Sequence, residues 1–558
     1  MGYDQRTGEQ EIRGFGGLNI GVSELKIESS QSPNLYNVDL HPVGVLSKRR
    51  GYAVLSTAGV DGDGSALSLF RGRKASGAAY YYCHRGAKVF RAPSIEGPWT
   101  DATAAASLTA SDAARMNMIQ GRHLTANALF MSNGLQKPLI ATMNAAIASD
   151  LIEWPAGAYG VAGVGGTKGY PATWEGDWPT AMAIINLGLG ADAQRCLAWG
   201  FAGEPERIDY SELGNLTNFL WSNVAYGPSY EDGVGAEVEL DGGAFYVGRG
   251  DGDVIVNVIA MFGYIVVFKK EHIYILQGDP AQMTFQVAAM FDTGCLSRRS
   301  VFRVGNDIMF WSKIGPTSLA FVRERGDVTT GDINFEIRPE TVGISESAHG
   351  EIVGYHDPAV ARVFWFFPSE GSPTNNKAFI PYYDSLRWSR YNGAYTEIAA
   401  VAIVTEALSA TQIVYGLRYD GKVVQLGTGT LDGEDQIEAS YTTSWMNFGN
   451  ISDASRSLWL DLMFGDAGNN GVVVEMQQDL GTAWASIADT VKSFGGAGAR
   501  WGNIVWGDFV WGETGRAYVR YDMGALFNLI RLRFSSTTAA NFEVLGYKIE
   551  ARSKGARP

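Results

Sequence analysis

Six histidines and three cysteines are the residues of this chain that could bind zinc through nitrogen or sulfur or supply a thiolate nucleophile. They are His41, His84, His123, His272, His349, His356, Cys83, Cys196 and Cys295. No two histidines are two or four residues apart, and only His84 adjoins a cysteine. Neighbours on a strand point to opposite faces, so Cys83 and His84 cannot hold one ion from regular β structure. The spacing therefore predicts no metal site built from His and Cys. The cysteines form no CxxC pair and no disulfide framework.

Acidic and glycine-rich segments give incomplete versions of two ligand-binding loops. Asp61-Gly-Asp63 begins like a calcium loop, but its twelfth position is Gly72, where a bidentate Glu is required. Asp251-Gly-Asp253 is similarly incomplete, and both are interpreted as solvated turns. The glycine-rich segment 160–170 lacks the Gly-Lys-Ser/Thr ending of a phosphate-binding loop, so it is interpreted as a turn-rich loop. No cofactor is predicted.

Three tryptophans follow one another at a period of five residues: Trp501, Trp506 and Trp511. At this odd spacing their rings would alternate between the faces of a strand, which argues against a regular half-buried strand. Tight Trp-Gly turns fit better. The rings could form a local aromatic cluster, which we favour, or a surface that stacks on a ligand such as a sugar.

The elements that would position these residues are almost all short strands. An apolar strand, a short polar or glycine turn and a second apolar strand recur seven times. The copies begin at positions 80, 129, 197, 265, 309, 363 and 413, separated by 49, 68, 68, 44, 54 and 50 residues. Blades of a β-propeller recur at about 40–50 residues, and inserted loops lengthen them. The pattern predicts an all-β fold with a six- to eight-bladed propeller. The alternative is a set of antiparallel meanders in sandwiches.

Composition divides the chain into three parts. We expect an extended N-terminal arm at 1–50, a propeller with insertions at 51–430, and a β-sandwich-like domain of six alternating strands at 438–558. The arm would tie into the sheet or into a neighbouring subunit. Short helices are expected at 111–120 and 144–154.

The composition excludes several classes of protein. The 558 residues are 46% hydrophobic and 19% charged, which is enough apolar material for packed cores. No apolar stretch approaches the length that spans a bilayer, and the first residues lack the apolar segment of a signal peptide. A net charge of −14 makes the chain a poor candidate for gripping nucleic acid. It is compatible with a surface past which DNA slides.

Several segments carry a resemblance to one family. They are FGGLN at 15–19, SPNLYNVDLHPVGVLSKRRGY at 32–52, RIDYSELGNLTNF at 207–219, 259–280, DTGCLSRRSVFRVGNDIMFWS at 292–312, and the Trp-Gly repeats with 529–557. Together they resemble the tail nozzle, or tail tubular, proteins of short-tailed double-stranded DNA bacteriophages. The motifs are short, and none is catalytic.

The resemblance implies a structural virion protein and no enzyme. It implies a propeller with added β domains, assembled as a homo-hexamer below the portal and the head-to-tail adaptor proteins. Tail fibres or spikes are candidate further partners. The ring would retain the genome and conduct double-stranded DNA during ejection, without sequence recognition. Assembly would take place in the cytoplasm of the host bacterium. The basic run Lys48-Arg49-Arg50 could contact an acidic adaptor or form an exposed basic turn.

Two functions of other classes remain open. One is a receptor- or glycan-binding tail module, in which the rings of Trp501, Trp506 and Trp511 stack on sugars. The other is a glycan-degrading propeller enzyme with paired carboxylates across its central pocket. The 59 acidic residues make such pairs available, but the Asp-box typical of sialidase propellers is absent.

Overall fold

The computed structural model describes most of the chain and gives its fold in full-atom detail. The described residues are 7–56, 59–60, 62, 64–74, 77–103, 115–123, 126–143, 152–153, 170–186, 194–216, 219, 242–261, 263–279, 283–320, 322, 333–358, 362–382, 387–405, 412–448, 454–465, 471–488, 517–538 and 543–553.

Five short strands lie in the first part of the chain: β1 (Thr7–Ile12), β2 (Asn34–Tyr36), β3 (Val38–Asp39), β4 (Leu46–Lys48) and β5 (Tyr52–Val54). The first four belong to the C-terminal domain described below. β5 belongs to the propeller, so the N-terminal part of the chain contributes to both parts of the molecule.

Seven antiparallel sheets follow, and we number them as blades 1 to 7. Blade 1 is β6 (Ala66–Arg73), β7 (Ala79–Arg85), β8 (Lys88–Ala92) and β9 (Thr100–Asp101), and blade 2 is β10 (Asn117–His123), β11 (Ala126–Ser132), β12 (Leu139–Met143) and β13 (Ile152–Glu153). Blade 3 is β14 (Ala181–Asn186), β15 (Gln194–Trp199), β16 (Arg207–Tyr210) and β17 (Gly243–Tyr246), and blade 4 is β18 (Ile255–Met261), β19 (Tyr264–Lys269), β20 (Ile273–Asp279) and β21 (Thr284–Phe291).

Blade 5 has three described strands: β22 (Phe302–Val304), β23 (Asp307–Ser312) and β24 (Gly315–Ser318). Blade 6 is β25 (Val353–Asp357), β26 (Arg362–Phe367), β27 (Lys377–Tyr382) and β28 (Arg387–Asn392). Blade 7 contains β29 (Ile398–Thr405), β30 (Gln412–Arg418), β31 (Val423–Leu426), β32 (Leu431–Asp432) and β33 (Asp435–Gln436), with β5 between β31 and β32.

The seven blades close into a ring, so the protein is a β-propeller. The first strands of the blades lie side by side at the centre, and β29 of blade 7 packs against β6 of blade 1. Neighbouring blades bury separate apolar clusters between them. Between blades 4 and 5, for example, the ring centroids of Phe268 and Phe310 are 5.2 Å apart. These clusters replace the single core of a smaller domain.

All seven hairpins predicted from the sequence form the second and third strands of a blade. The residues in their turns explain why these hairpins could be predicted from the sequence. β7 and β8 are joined through Gly86 at φ 55°, and β30 and β31 through Gly421 at φ 89°. Two-residue hairpin turns need a positive φ, which glycine adopts without a steric penalty. Glycine between two apolar runs therefore marks the centre of these blades.

Blade 7 is closed by the N-terminal part of the chain. β5 pairs with β31 in antiparallel register, with Val54 opposite Val424 and Tyr52 opposite Leu426. Three strands from residues 398–426 thus pair with β5 from residues 52–54 in the six-stranded sheet of blade 7, which β32 and β33 extend. Separating the first and last blades requires breaking this pairing, which fixes the ring.

The C-terminal domain is a sandwich of two sheets built from both ends of the chain. Its later strands are β34 (Ala439–Thr442), β35 (Ser455–Phe464), β36 (Val473–Gln478), β37 (Ala485–Ala488), β38 (Ala517–Asp522), β39 (Leu526–Phe527), β40 (Ile530–Ser536) and β41 (Glu543–Ser553). One sheet has the order β3-β4-β41-β35-β38, with β1 on β41 and β39 on β35, and the other has the order β2-β34-β40-β36-β37.

The sandwich and the propeller share a hydrophobic core. Phe15 of the N-terminal arm packs edge-on against Tyr441, at 5.0 Å between ring centroids. The same buried cluster continues into Trp311 of blade 5 and into Trp365 and Trp388 of blade 6. The arm is therefore tied into sheets of its own chain.

Two expectations from the sequence are wrong. Residues 117–120 and 152–153, predicted to be helical, lie in strands β10 and β13. Pairing with β11 and β12 stabilises these strands and overrides the weak helical pattern. One α-helix is α1 (Arg338–Thr341), residues 319–320 and 322 are also helical, and short 3-10 turns lie at Ala172–Trp174, Arg298–Ser300, Glu346–Glu351 and Ala394–Thr396.

The basic run at 48–50 is mostly buried and does not form an exposed basic turn. Lys48 and Arg49 are 3% and 2% exposed, and only Arg50 faces solvent. Lys48 donates a hydrogen bond from Nζ to the backbone oxygen of Thr538. The first two positions of the run therefore join the arm to the rest of the chain and are not available to an adaptor.

Candidate functional site

The axis of the propeller contains two adjoining cavities. The larger, of about 650 Å³, is lined by the first strands of blades 3 and 4 and by Arg303. The other, of about 550 Å³, is lined by blades 1, 2, 5, 6 and 7, again with Arg303. Arg303 lines both cavities, and we call the two together the axial space. Volumes of this order accommodate small ligands.

Arginines dominate the charge of this space. Arg298 and Arg299 come from the 3-10 turn that precedes β22, and Arg303 lies within β22. The described lining residues of both cavities include no aspartate or glutamate. The charged residues among the described lining are therefore all arginines, inside a chain whose net charge is −14.

The two arginines of the turn are held by backbone oxygens from three other blades. Arg299 donates from Nη2 to the oxygen of Gly350 at 2.6 Å and from Nη1 to the oxygen of Ala399. Arg298 donates from Nη1 to the oxygen of Thr180 at 3.1 Å. These acceptors lie at or near the starts of β25, β29 and β14, so the two arginines span one end of the axis.

Neutral carbonyls orient these guanidinium groups without cancelling their charge. The Nε atom of Arg299 is buried and has no hydrogen-bond partner among the described residues. Burial and the charge of Arg115 lower the pKa of Arg298 to about 10 and hold the pKa of Arg299 well below its usual range. Arginine nevertheless remains protonated in proteins, so both groups are cations at neutral pH.

The nearest described ion pair already uses its carboxylate. Glu351 receives Arg115 at 3.3 Å from Nε and again from Nη2, and Tyr419 donates to its Oε2 at 2.6 Å. Arg115 also donates from Nη1 to the oxygen of Leu67 at 2.5 Å. This network joins blades 1, 2, 6 and 7 and leaves the charges of the other arginines without a matching carboxylate.

Of the residues singled out from the sequence, His356 lines the smaller axial cavity. Trp501, Trp506 and Trp511 lie outside the described residues, as do Asp61, Asp63 and residues 160–169. Asp251 is bound by Nζ of Lys269 at 2.6 Å and by the hydroxyl of Tyr274 at 3.0 Å.

The sequence indicates a solvated turn at Asp253, but this residue is buried in the structure. It is 5% exposed, and its Oδ2 accepts the backbone N–H groups of Glu271 and His272. Within the described ranges, no three His, Cys, Asp or Glu side chains are grouped so as to hold a metal ion.

The three cysteines are buried in separate inter-blade clusters. Burial raises the pKa of Cys83 to about 12 and that of Cys295 to about 11, and it raises the pKa of Cys196 further. At neutral pH these groups are thiols and not nucleophilic thiolates.

Sequence reasoning did not identify the arginine cluster. Arg298, Arg299 and Arg303 fall within six residues, in the segment SRRSVFR, which is unusual in an acidic chain. That density was the available signal. Their position at the axis follows only from ring closure, which brings the starts of distant strands together.

The arrangement is suited to holding an anion. Arginine forks bind carboxylate and phosphate groups in two-pronged geometry. Glycoside hydrolysis requires two carboxyl groups about 5–10 Å apart. The described lining of the axial cavities offers no such pair.

Comparisons with known proteins give a distant likeness of fold. No family model matches the chain, and no curated protein sequence is similar to it. An exo-β-1,3-galactanase from Phanerochaete chrysosporium aligns at 9% identity over 90% of this chain and 100% of its own, with a TM-score of 0.28. The Pan2 WD40 domain of Neurospora crassa aligns at 6% identity over 68% and 95%, with a TM-score of 0.34.

A third solved structure, Sqt1 of Saccharomyces cerevisiae, aligns at 8% identity over 75% of this chain and 100% of its own, with a TM-score of 0.37. The propeller fold itself follows from the ring of seven sheets. In the described part of the chain, no helix has the length and apolar character needed to cross a membrane.

Proposed function

We propose that this chain is a structural component of a bacteriophage tail that assembles with copies of itself into a ring around the DNA exit channel. The observation that carries the proposal is an edge strand, β21 of blade 4, whose outer edge no described strand covers. A protein that acts by assembly needs a surface for another subunit, and this strand offers one.

β21 is the longest outer strand among the described blades. It pairs with β20 on one side, and no described strand covers its other edge. Residues 283–291, MTFQVAAMF, contain no charge and no proline. Val287 and Met290 are 55% and 51% exposed. Monomeric proteins protect such edges with lysine, proline or a covering segment, because an open edge pairs with other chains.

Blade 6 shows the protected alternative. Its outer strand β28 carries Arg387 and Arg390 and packs against β2 and β3 of the arm. Arg390 donates to Oδ1 of Asn34 at 2.6 Å. The chain therefore covers β28 with its own N-terminal segment, whereas no described strand covers the free edge of β21.

Charge favours a second copy as the occupant of β21. Two chains that each carry −14 repel one another, so their contact is most favourable where neither side is charged. The same net charge would disfavour tight binding of DNA phosphates and allow a duplex to pass. Retention of the genome and its conduction during ejection follow from the resemblance to tail nozzle proteins.

The segment that carries the resemblance has a structural role in this fold. Asp39, from the Asn-x-Asp-Leu motif, accepts Nη1 of Arg362 at 2.8 Å and the hydroxyl of Tyr382 at 3.2 Å. It also accepts the hydroxyl of Tyr391. The motif thus connects the arm to blade 6 through hydrogen bonds and an ion pair, which is consistent with a structural protein.

Light scattering on the purified chain, followed by averaged electron micrographs, tests the proposal. A six-fold ring with an open axis is the expected result, alone or after addition of adaptor proteins. The double variant Val287→Lys/Met290→Lys should remain folded and stay monomeric under both conditions. Leu135→Lys, which alters an exposed residue in a hairpin turn of blade 2, is the matched control and should still assemble.

Two outcomes would contradict the proposal. Full assembly of the double-lysine variant would show that β21 is not the subunit contact. A trimer would indicate a fibre or spike, and glycan binding by the segment with Trp501, Trp506 and Trp511 would then be tested with Trp506→Ala. Release of reducing ends from host polysaccharide would indicate an enzyme.

A further inference from the structure

We propose that the axial cavity of the propeller binds a phosphate-bearing anion through Arg298, Arg299 and Arg303. This inference concerns a small-ligand site inside one chain and does not depend on ring assembly. The cavity adjoins the starts of the innermost strands, where three cations face a space of about 550 Å³.

The charge balance of the cavity is the first step of the argument. Glu351 is the carboxylate in the surrounding network, and Arg115 pairs with it. Arg298 and Arg299 are met by neutral carbonyl oxygens at Thr180, Gly350 and Ala399. Burying a charge without a counter-charge is costly, so an anion that entered this cavity would stabilise the folded chain.

The available donors of Arg303 and the fixed orientation of Arg299 are the second step. Arg303 makes no side-chain hydrogen bond or ion pair with the described residues and is exposed to the axial space. Both Nη donors of Arg299 are oriented by backbone oxygens, which fixes the guanidinium before any ligand arrives. A preorganised donor set loses little entropy on binding.

Phosphate is the anion whose chemistry matches this set. It carries between one and two negative charges at neutral pH and accepts several charge-assisted hydrogen bonds, whereas a single carboxylate carries one charge. The cavity also contains polar and aromatic groups beside the arginines, including Gln412 and Tyr355. Free phosphate and the phosphate of a nucleotide share the chemistry that the arginines would recognise.

Isothermal titration calorimetry of the full chain with inorganic phosphate, a nucleoside monophosphate and acetate, at constant ionic strength, tests the site. We expect saturable one-to-one binding of at least one phosphate compound and markedly weaker binding of acetate. Equal affinity for the two phosphate compounds would assign recognition to the phosphate group alone. Tighter binding of the nucleoside monophosphate would assign a nucleotide.

Arg303→Gln is the principal variant, because its side chain supports no other described residue. Loss of one charged hydrogen bond costs about 1.5–3 kcal/mol, which corresponds to a roughly 10- to 150-fold rise in Kd. Arg298→Gln should weaken binding similarly. Arg456→Gln, at an exposed arginine of the sandwich strand β35, is the control and should bind as the native chain does.

The proposal would be overturned by either of two results. One is the absence of saturable binding of both phosphate compounds to chain shown by circular dichroism to be folded. The other is binding that Arg303→Gln and Arg298→Gln leave unchanged, since the anion would then be held elsewhere.

Discussion

Arg49 forms a buried, bidentate ion pair with Asp432, across 383 positions of the chain. Nη1 lies 2.7 Å from Oδ1, and Nη2 lies 2.6 Å from Oδ2. The guanidinium carbon also lies 4.4 Å from the ring centroid of Tyr395, and Nε donates to Oδ1 of Asn37 at 2.9 Å. One side chain thus connects the N-terminal arm, blade 7 and the turn after blade 6.

Arg49→Met should destabilise the chain by about 3–5 kcal/mol, because it leaves Asp432 buried without its partner. Arg50→Met, at the exposed neighbour, should change stability by less than about 0.5 kcal/mol. Urea unfolding followed by tryptophan fluorescence measures both midpoints. The double variant Arg49→Met/Asp432→Leu should recover part of the loss. Equal midpoints for Arg49→Met and Arg50→Met would contradict a structural role for the pair.

Gly51 precedes the strand that closes the propeller, and its position leaves no room for a side chain. A Cβ atom there would lie 1.7 Å from the backbone oxygen of Leu431 and 2.4 Å from its carbonyl carbon. Gly51→Ala should therefore displace β5 or β32 and lower the free energy of unfolding by about 1–3 kcal/mol. Gly350→Ala is the control, since a Cβ at Gly350 meets no atom within 4 Å.

Thermal unfolding and limited proteolysis measure the effect of these two substitutions. Gly51→Ala should lower the unfolding temperature and expose cleavage sites near the junction of blades 1 and 7. Gly350→Ala should match the native chain in both measurements. Native behaviour of Gly51→Ala would mean that the closure tolerates a shift of its outer strand.

The three cysteines should be unreactive in the native chain. Burial keeps Cys83, Cys196 and Cys295 inaccessible and raises the pKa of each thiol, so few thiolates exist at pH 8. A chromogenic disulfide reagent should label fewer than about one thiol per chain within minutes under native conditions. All three thiols should react after unfolding in guanidinium, which is the positive control. Rapid native labelling would show that at least one inter-blade cluster opens readily.

The second and third strands of each blade were predictable because the apolar runs and turn residues that specify them are adjacent in the sequence. In blade 1, β7 and β8 are apolar runs joined by Gly86-Ala87, a turn that the two strands need wherever they lie in the fold. The ends of the blades were less readable. β10 follows a polar segment whose local pattern favours a helix, and only its pairing with β11 makes it a strand.

The arginine cluster and the closing strand depend on long-range contacts and could not be predicted. β5 is three residues long, and its partner β31 lies about 370 positions later. The carbonyls that orient Arg298 and Arg299 come from blades that begin at Ala181, Val353 and Ile398. Nothing in local sequence specifies that these strands meet at one axis.

Glu336 should make stability fall as pH rises. Its Oε1 accepts Nε2 of Gln31 at 2.7 Å, and burial, together with the charge of Glu28, raises its pKa from 4.5 to about 7. A raised pKa means that the folded chain holds this proton more tightly than the unfolded chain. The resulting stabilisation is complete below about pH 4.5 and is lost as pH rises through about 7.

Glu336→Gln should match the native unfolding temperature at pH 5 and exceed it at pH 8. Glu370→Gln, at an exposed loop residue, should follow the native chain at both values. A constant difference between native chain and Glu336→Gln across this range would contradict the assignment, because a carboxyl that ionises equally in both states contributes no pH dependence.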